Sequence, residues 1–217
     1  MLKRILSRPV SPSPAARHIC HFEGVIDHLY LDTRGNPTIG VGFHVSSKEA
    51  FTRLSLRDKR TNKPASRAQK QQEYNTLTRL PAGKTARWYD EHCSLHLPHS
   101  ESMRLLQQQI SNFEQELTRL ICPKNGYTRP YNKLPSSVRL ALLDLAYNLG
   151  ITNLSSRWPK LQTALKQEDW QRAANECARK HVSKARNQAT YALFMQASKS
   201  DNLIARLLRR LWSKLWR

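Results

Sequence analysis

The chain has 217 residues, 39% of them hydrophobic, and a formal net charge of +20. It is long enough for one two-lobed domain or two small ones with a real core, which leaves little room for long disorder. No run of about 18 apolar residues occurs, which excludes a membrane-spanning helix, and so large a positive field favours polyanions such as nucleic acid, anionic lipid or an acidic cell wall.

Residues 1–8 are basic but lack the apolar centre of a signal peptide. The chain is therefore expected to be made in the cytoplasm and to leave by another export route or through a membrane hole. Pro9, Pro12 and Pro14 lie among serines, so residues 1–17 read as a flexible basic segment. Ile19, Phe22, Val25, Ile26 and Leu29 recur at three- and four-residue steps and predict a helix over 18–29, with Asp27 and His28 on its face. Residues 30–32 read as a strand, and Thr33-Arg34-Gly35-Asn36-Pro37 as a turn in which Gly and Asn are free to take positive φ. Residues 38–43 read as the returning strand; their glycines suit close approach of a ligand or backbone.

A short helix over 48–56 and an exposed basic loop over 57–65 follow. Residues 66–80 read as a weakly amphipathic helix stopped by Pro81 and Gly83, and a second helix contains Trp88 and Tyr89. After Pro98, Ser100 is an N-cap candidate for a long helix marked by Met103, Leu106, Ile110, Phe113, Leu117 and Leu120. It stops before Pro123 and is placed as the bridge between lobes. Ser136 or Ser137 caps the next helix, which ends at Gly150. Helices over 158–167, 169–180 and 185–197 complete the prediction. The class is α+β, mostly helical, divided as 1–17, 18–99, 100–200 and 201–217. Cys20, Cys93, Cys122 and Cys177 are widely spaced and form no zinc pattern. Reduced buried thiols are the default, with one or two bridges open to a protein that works in a periplasm.

The chemistry concentrates in one stretch. Asp32 follows Glu23 by nine residues, and Thr38 follows Asp32 by six. An acid at a helix end, a second acid on a hairpin and a hydroxyl on the return strand supply what hydrolysis of a glycosidic bond requires. One carboxylic acid protonates the leaving oxygen, and one carboxylate handles the water or the developing cation.

In the order and spacing of Glu23, Asp32 and Thr38, and in the run Thr38-Ile39-Gly40-Val41-Gly42, the chain resembles the phage-type lysozymes, the family of the T-even phage enzyme. The run from Leu142 to Asn148-Leu149-Gly150 is similar to that family's buried helix, and Ala185-Arg186-Asn187 with Leu193-Phe194 to its arginine helix. The resemblance implies a small lobe with a β-hairpin, a larger helical lobe and a cleft between them. It implies a muramidase that cuts the β-1,4 bond between N-acetylmuramic acid and N-acetylglucosamine in bacterial peptidoglycan, with no metal or organic cofactor. Glu23 would be the general acid, a role that needs a protonated carboxyl near neutral pH. Asp32 would stay ionised beside the water, and Thr38 would help hold that water. Tyr30, Gly42, His44 and Arg186 are the substrate-contact candidates. Arg186 reads either as solvated surface charge or, by resemblance, as a group facing Glu23. The chain departs from the family pattern where Phe43 precedes His44, at Asn187 and Thr190, and in the longer stretch 46–98. Such an insert fits a specialised branch such as a bacteriocin or a secreted antibacterial toxin.

The tail, residues 203–217, sets Ile204, Leu207, Leu208, Leu211, Trp212 and Leu215 against Arg206, Arg209, Arg210, Lys214 and Arg217. It either closes the second lobe or lies in an anionic membrane surface. The second reading underlies an alternative function, a cationic wall- or membrane-binding antibacterial protein. Nucleic acid is not an expected partner, because the basic residues are dispersed and no helix-turn-helix, zinc or RNA-binding signature is present. The expected setting is a monomer acting in the bacterial periplasm or cell wall, as a phage lysis enzyme or a toxin that an immunity or inhibitor protein would control.

Overall fold

The computed structural model describes residues 12–215, with side chains through Asp201. The chain forms two compact units, Met1–Gln109 and Ile110–Arg217. The fold is α+β and mostly helical, with a three-stranded and a two-stranded antiparallel sheet among the described residues. Among those residues no helix is long and apolar enough to cross a membrane.

The first unit opens with α1 (Pro14–Glu23). The Ser13 hydroxyl accepts the Ala16 N–H at 3.1 Å, and Pro14 sits in the first turn, where its missing N–H leaves no bond unmade. At the other end Gly24 takes φ +73° and donates to the Cys20 carbonyl at 3.0 Å. This corrects the helix expected over 18–29, which starts earlier and stops at Glu23. The apolar spacing runs straight through Gly24, but Val25 beyond it is 41% exposed. Residues after Gly24 instead enter β1 (Ile26–Leu31), so Asp27 and His28 are strand residues rather than helix-face residues. Pairing with a neighbouring strand has overridden local spacing here.

β1 pairs antiparallel with β2 (Pro37–Gly40), and β2 with β3 (Phe43–His44). Tyr30 lies opposite Thr38, and Thr38 opposite His44. The register shifts between Ile26 and Tyr30, as at a β-bulge. The expected strand over 38–43 is broken, because Gly40 (φ +68°) and Gly42 (φ +66°) turn the chain back on itself. A side chain at either glycine would have to hold the left-handed region, which costs an L-residue about 1 kcal/mol or more.

α2 (Lys48–Arg53) is capped by Ser47. β4 (Arg57–Asp58) pairs with β5 (Leu95–His96) and Ala65 is buried, which corrects the two ends of the exposed loop expected over 57–65; residues 59–64 are exposed as expected. α3 (Arg67–Leu77) starts from a reciprocal capping box between Ser66 and Gln69, and it ends three residues short of the expected Leu80. α4 is Ala86–Asp90. Leu29, Leu31 and Ile39 of the hairpin pack in one core with Phe51, Leu56, Leu77, Tyr89 and Leu95. Each such side chain contributes about 1.5–3 kcal/mol. The stretch 46–98 is thus the hydrophobic support of the hairpin rather than an appendage. Glu73 is buried in it, and its carboxylate accepts the Ser94 N–H, the Ser94 hydroxyl and the Leu95 N–H at 2.7–2.9 Å.

α5 (His99–Leu120) starts one residue before the expected cap, and the division between the units falls inside it. In the second unit α6 (Ser136–Leu149) begins after Pro135; neither Ser136 nor Ser137 caps it, and Ser137 is buried. α6 ends at Gly150, φ +76°, as expected. A short α7 (Ile151–Ser156) was not foreseen. α8 is Pro159–Gln167, and α9 (Trp170–Glu176) ends before the expected residue 180 because Cys177 closes it. α10 runs unbroken over Lys184–Leu215, so the helix expected at 185–197 and the tail helix are one element. It packs on α6 and α9. The tail's side chains and residues 1–11 lie outside the described residues. All four cysteines are free thiols; burial pushes Cys93 up to about 12 and Cys177 to about 11.

Candidate active site

The hairpin turn is built around the Asp32 carboxylate. Its Oδ1 accepts the backbone N–H groups of Arg34 and Asn36, each at 2.8 Å, and its Oδ2 accepts the Asn36 side-chain amide at 2.9 Å. Backbone bonds from Asp32 N to the Asn36 carbonyl and from Gly35 N to the Asp32 carbonyl, both 3.0 Å, close the turn. Gly35 takes φ +80°, as its place in the turn requires. Asn36 does not take positive φ; its work is to hold Asp32, a role the sequence reading missed. The signal was present, since Asx side chains bond backbone groups a few residues away. Partial burial pushes the Asp32 pKa up, but the Asn36 and Arg34 hydrogen bonds, with a smaller contribution from His44, outweigh it and hold the carboxyl below its usual range. A carboxylate offers about four acceptor directions. Three are used among the described residues, and one on Oδ2 is left for water or substrate.

Thr38 is 6% exposed, and its hydroxyl donates to the Asn36 carbonyl at 3.0 Å. With the proton committed there, the Oγ1 lone pairs can accept from a water. Tyr30, opposite Thr38, is half-buried. Its phenol is shifted upward, first by burial and then by the negative charges of Glu23 and Asp32. Glu23, the last residue of α1, is half-buried too. The phenol therefore stands within electrostatic reach of both acids, so Glu23, Tyr30, Asp32, Thr38 and His44 share one neighbourhood. His44 and Gly42 are exposed, Gly42 at the apex of the β2–β3 turn.

Arg186 belongs to the other unit, in the first turn of α10, and is 5% exposed. Its Nε donates to Asp144 Oδ1 at 2.9 Å. Asp144 on α6 is fully buried, and its Oδ2 accepts from Arg179 at 2.7 Å and from the Thr190 hydroxyl at 2.8 Å. Asn187 bonds the backbone of Arg179 in both directions, at 3.0 and 2.9 Å. Asn187 and Thr190, which depart from the family pattern, thus complete this buried cluster. The reading of Arg186 as solvated surface charge is corrected, because two arginines and one aspartate are buried together. The model of the phage lysozyme family matches residues 20–197 of the chain. A search of curated proteins finds no match.

Proposed function

The chain belongs to the phage lysozyme family and is a peptidoglycan hydrolase of lysozyme type. On that premise we propose that it is a muramidase, cleaving the β-1,4 bond between N-acetylmuramic acid and N-acetylglucosamine, with Glu23, Asp32 and Thr38 as its catalytic residues. Glu23 gives its proton to the glycosidic oxygen as the bond to the anomeric carbon breaks. The water that attacks that carbon is held between the free acceptor direction of Asp32 and the Thr38 hydroxyl, and its proton passes to the Asp32 carboxylate. Substrate entry between acid and water gives inversion at the anomeric carbon. Tyr30, Gly42 and His44 face the sugar from the hairpin.

The observation that carries this reading is the state of Asp32. Neutral donors hold it ionised and oriented, and one acceptor direction stays open beside a buried hydroxyl. Such a group is placed to hold and orient a water without reorganising. The +20 charge suits an anionic wall. We assign the hydrolysis to bacteriolysis, as a phage endolysin or an antibacterial toxin. Mass analysis of fragments from purified peptidoglycan tests the bond: reducing N-acetylmuramic acid ends support it. Reducing N-acetylglucosamine ends, or anhydro ends formed without water, would refute it.

A further inference from the structure

We propose that Asp27, His28 and Asp90 form a binding site for a divalent first-row transition metal, of the kind Zn2+ occupies. The site would tie the stretch 46–98 to the strand that carries Tyr30 and leads into Asp32. It lies in the first unit and takes no part in the hydrolysis proposed above.

The ring of His28 supplies the first observation. It is buried, 7% exposed, and its Nε2 lies 2.7 Å from the Ala86 carbonyl. A carbonyl only accepts, so Nε2 carries the hydrogen, and in the neutral ring Nδ1 presents a lone pair. That lone pair faces two carboxylate oxygens, Asp27 Oδ1 and Asp90 Oδ1, each 3.2 Å away. Three acceptors converging on one point favour a cation among them; Lys59 answers Asp90 Oδ1 from one side, while Asp27 Oδ1 and the ring still face one another. A metal-bound histidine has this arrangement, with one nitrogen on the ion and the other donating to a carbonyl that fixes the tautomer.

The spacing is the second observation. The three ligand atoms lie within 4.8 Å of one another. Nitrogen and oxygen donors about 2.1 Å from a zinc-sized ion, at angles between octahedral and tetrahedral, stand about 3.0–3.4 Å apart. The two separations from His28 Nδ1, 3.2 Å each, fall in that window, and the two carboxylate oxygens lie within 4.8 Å of each other. One imidazole with two carboxylates, other positions left to water, suits Zn2+, Co2+, Ni2+ or Mn2+ better than Ca2+, which takes six to eight oxygens.

The backbone supplies the third. Consecutive strand residues point to opposite faces, yet Asp27 and His28 reach one point. The register shift between Ile26 and Tyr30 makes this possible. Asp90 comes from the end of α4. The side chains of Asp27 and Asp90 are 57% and 48% exposed, which leaves an open path for an ion. Lys59 contacts Asp90 Oδ1 and would compete with the ion for it.

Calorimetric titration of the full chain with Zn2+ tests the site. One ion should bind, and the thermal midpoint should rise with it. Asp27→Asn and Asp90→Asn, both at exposed positions, should each weaken binding more than tenfold, whereas Lys59→Met should tighten it by removing the competitor. The absorption of bound Co2+ should show nitrogen and oxygen ligands without a thiolate band. His28→Ala should abolish binding, but it empties a buried position, so the exposed variants decide if it fails to fold. No binding in the unaltered chain, or binding indifferent to both Asn variants, would overturn the proposal. So would a His28 ring protonated on both nitrogens at neutral pH in the presence of Zn2+, as read from nitrogen chemical shifts.

Discussion

Asp32 and Asp144 are both carboxylates gripped by several donors, and the grips serve opposite ends. Asp144 is fully buried, its charge answered by two guanidinium groups and the Thr190 hydroxyl. Asp32 lies on a partly exposed turn, and its donors are two backbone N–H groups and one amide. Charged partners in a dry site consume the aspartate, joining helices α6 and α10 at the cost of desolvating every member. Neutral partners on a wet turn orient the aspartate and leave part of it available. The number of hydrogen bonds therefore does not separate a structural carboxylate from a reactive one. What separates them is whether an acceptor direction remains and whether opposing charge is spent on it.

The comparison breaks first at Asp144. Asp144→Ala leaves Arg179 and Arg186 buried without their counter-charge, and a loss of about 3–5 kcal/mol is expected. Denaturant unfolding measures it, and a loss under about 1 kcal/mol would mean that water reaches the cluster. Asp32→Asn should do the reverse. It keeps the shape of the turn and costs about 1 kcal/mol of stability, while peptidoglycan turnover falls by about a hundredfold or more, as for other lost transition-state contacts. Asp27→Asn, on the same strand but outside the acid neighbourhood, should leave turnover within about twofold. A reversed ranking in one turnover assay would put the motif out of register.

The smallest effect is in acid. The Asp32 carboxyl is held below its usual range in the folded state, so its contribution to stability is fully present above the ordinary aspartate pKa. It is lost as pH falls through the depressed folded value. Unfolding free energy measured down the acid limb should show this slope, and Asp32→Asn should flatten it. An unchanged limb in the variant would show that the turn does not prefer the ionised form.

The turn that carries Asp32 was legible because its signals are local. A turn built from Gly35 and Asn36 follows Asp32 directly, whereas the stop at Glu23, set by Gly24, differs from the helix expected over 18–29. The helix boundary failed for a local reason too: the spacing from Ile19 to Leu29 continues smoothly across Gly24 and hides the change to strand. β4 and β5 were not legible, because two-residue strands carry no alternation and each depends on a partner far along the chain. The buried cluster had a signal that went unread. Asp144 stands inside Leu142-Leu143-Asp144-Leu145-Ala146, and a charge within an apolar helical run implies a buried partner. Arg186 was named, but its partner could not be, since helix spacing within α10 says nothing of α6. For the tail, the backbone is helical to Leu215, and the choice between packing and membrane binding rests on side chains outside the described residues.

In the proposed mechanism Glu23 is the proton donor of a glycosidic hydrolysis. Glu23→Gln keeps the shape of the side chain at the end of α1 but has no proton to give. Release of soluble fragments from purified peptidoglycan, measured for the two proteins at matched thermal midpoints, is the direct measurement. A loss of at least about a thousandfold is expected, equal to some 4 kcal/mol in the barrier. Turnover within tenfold of the unaltered chain would contradict it.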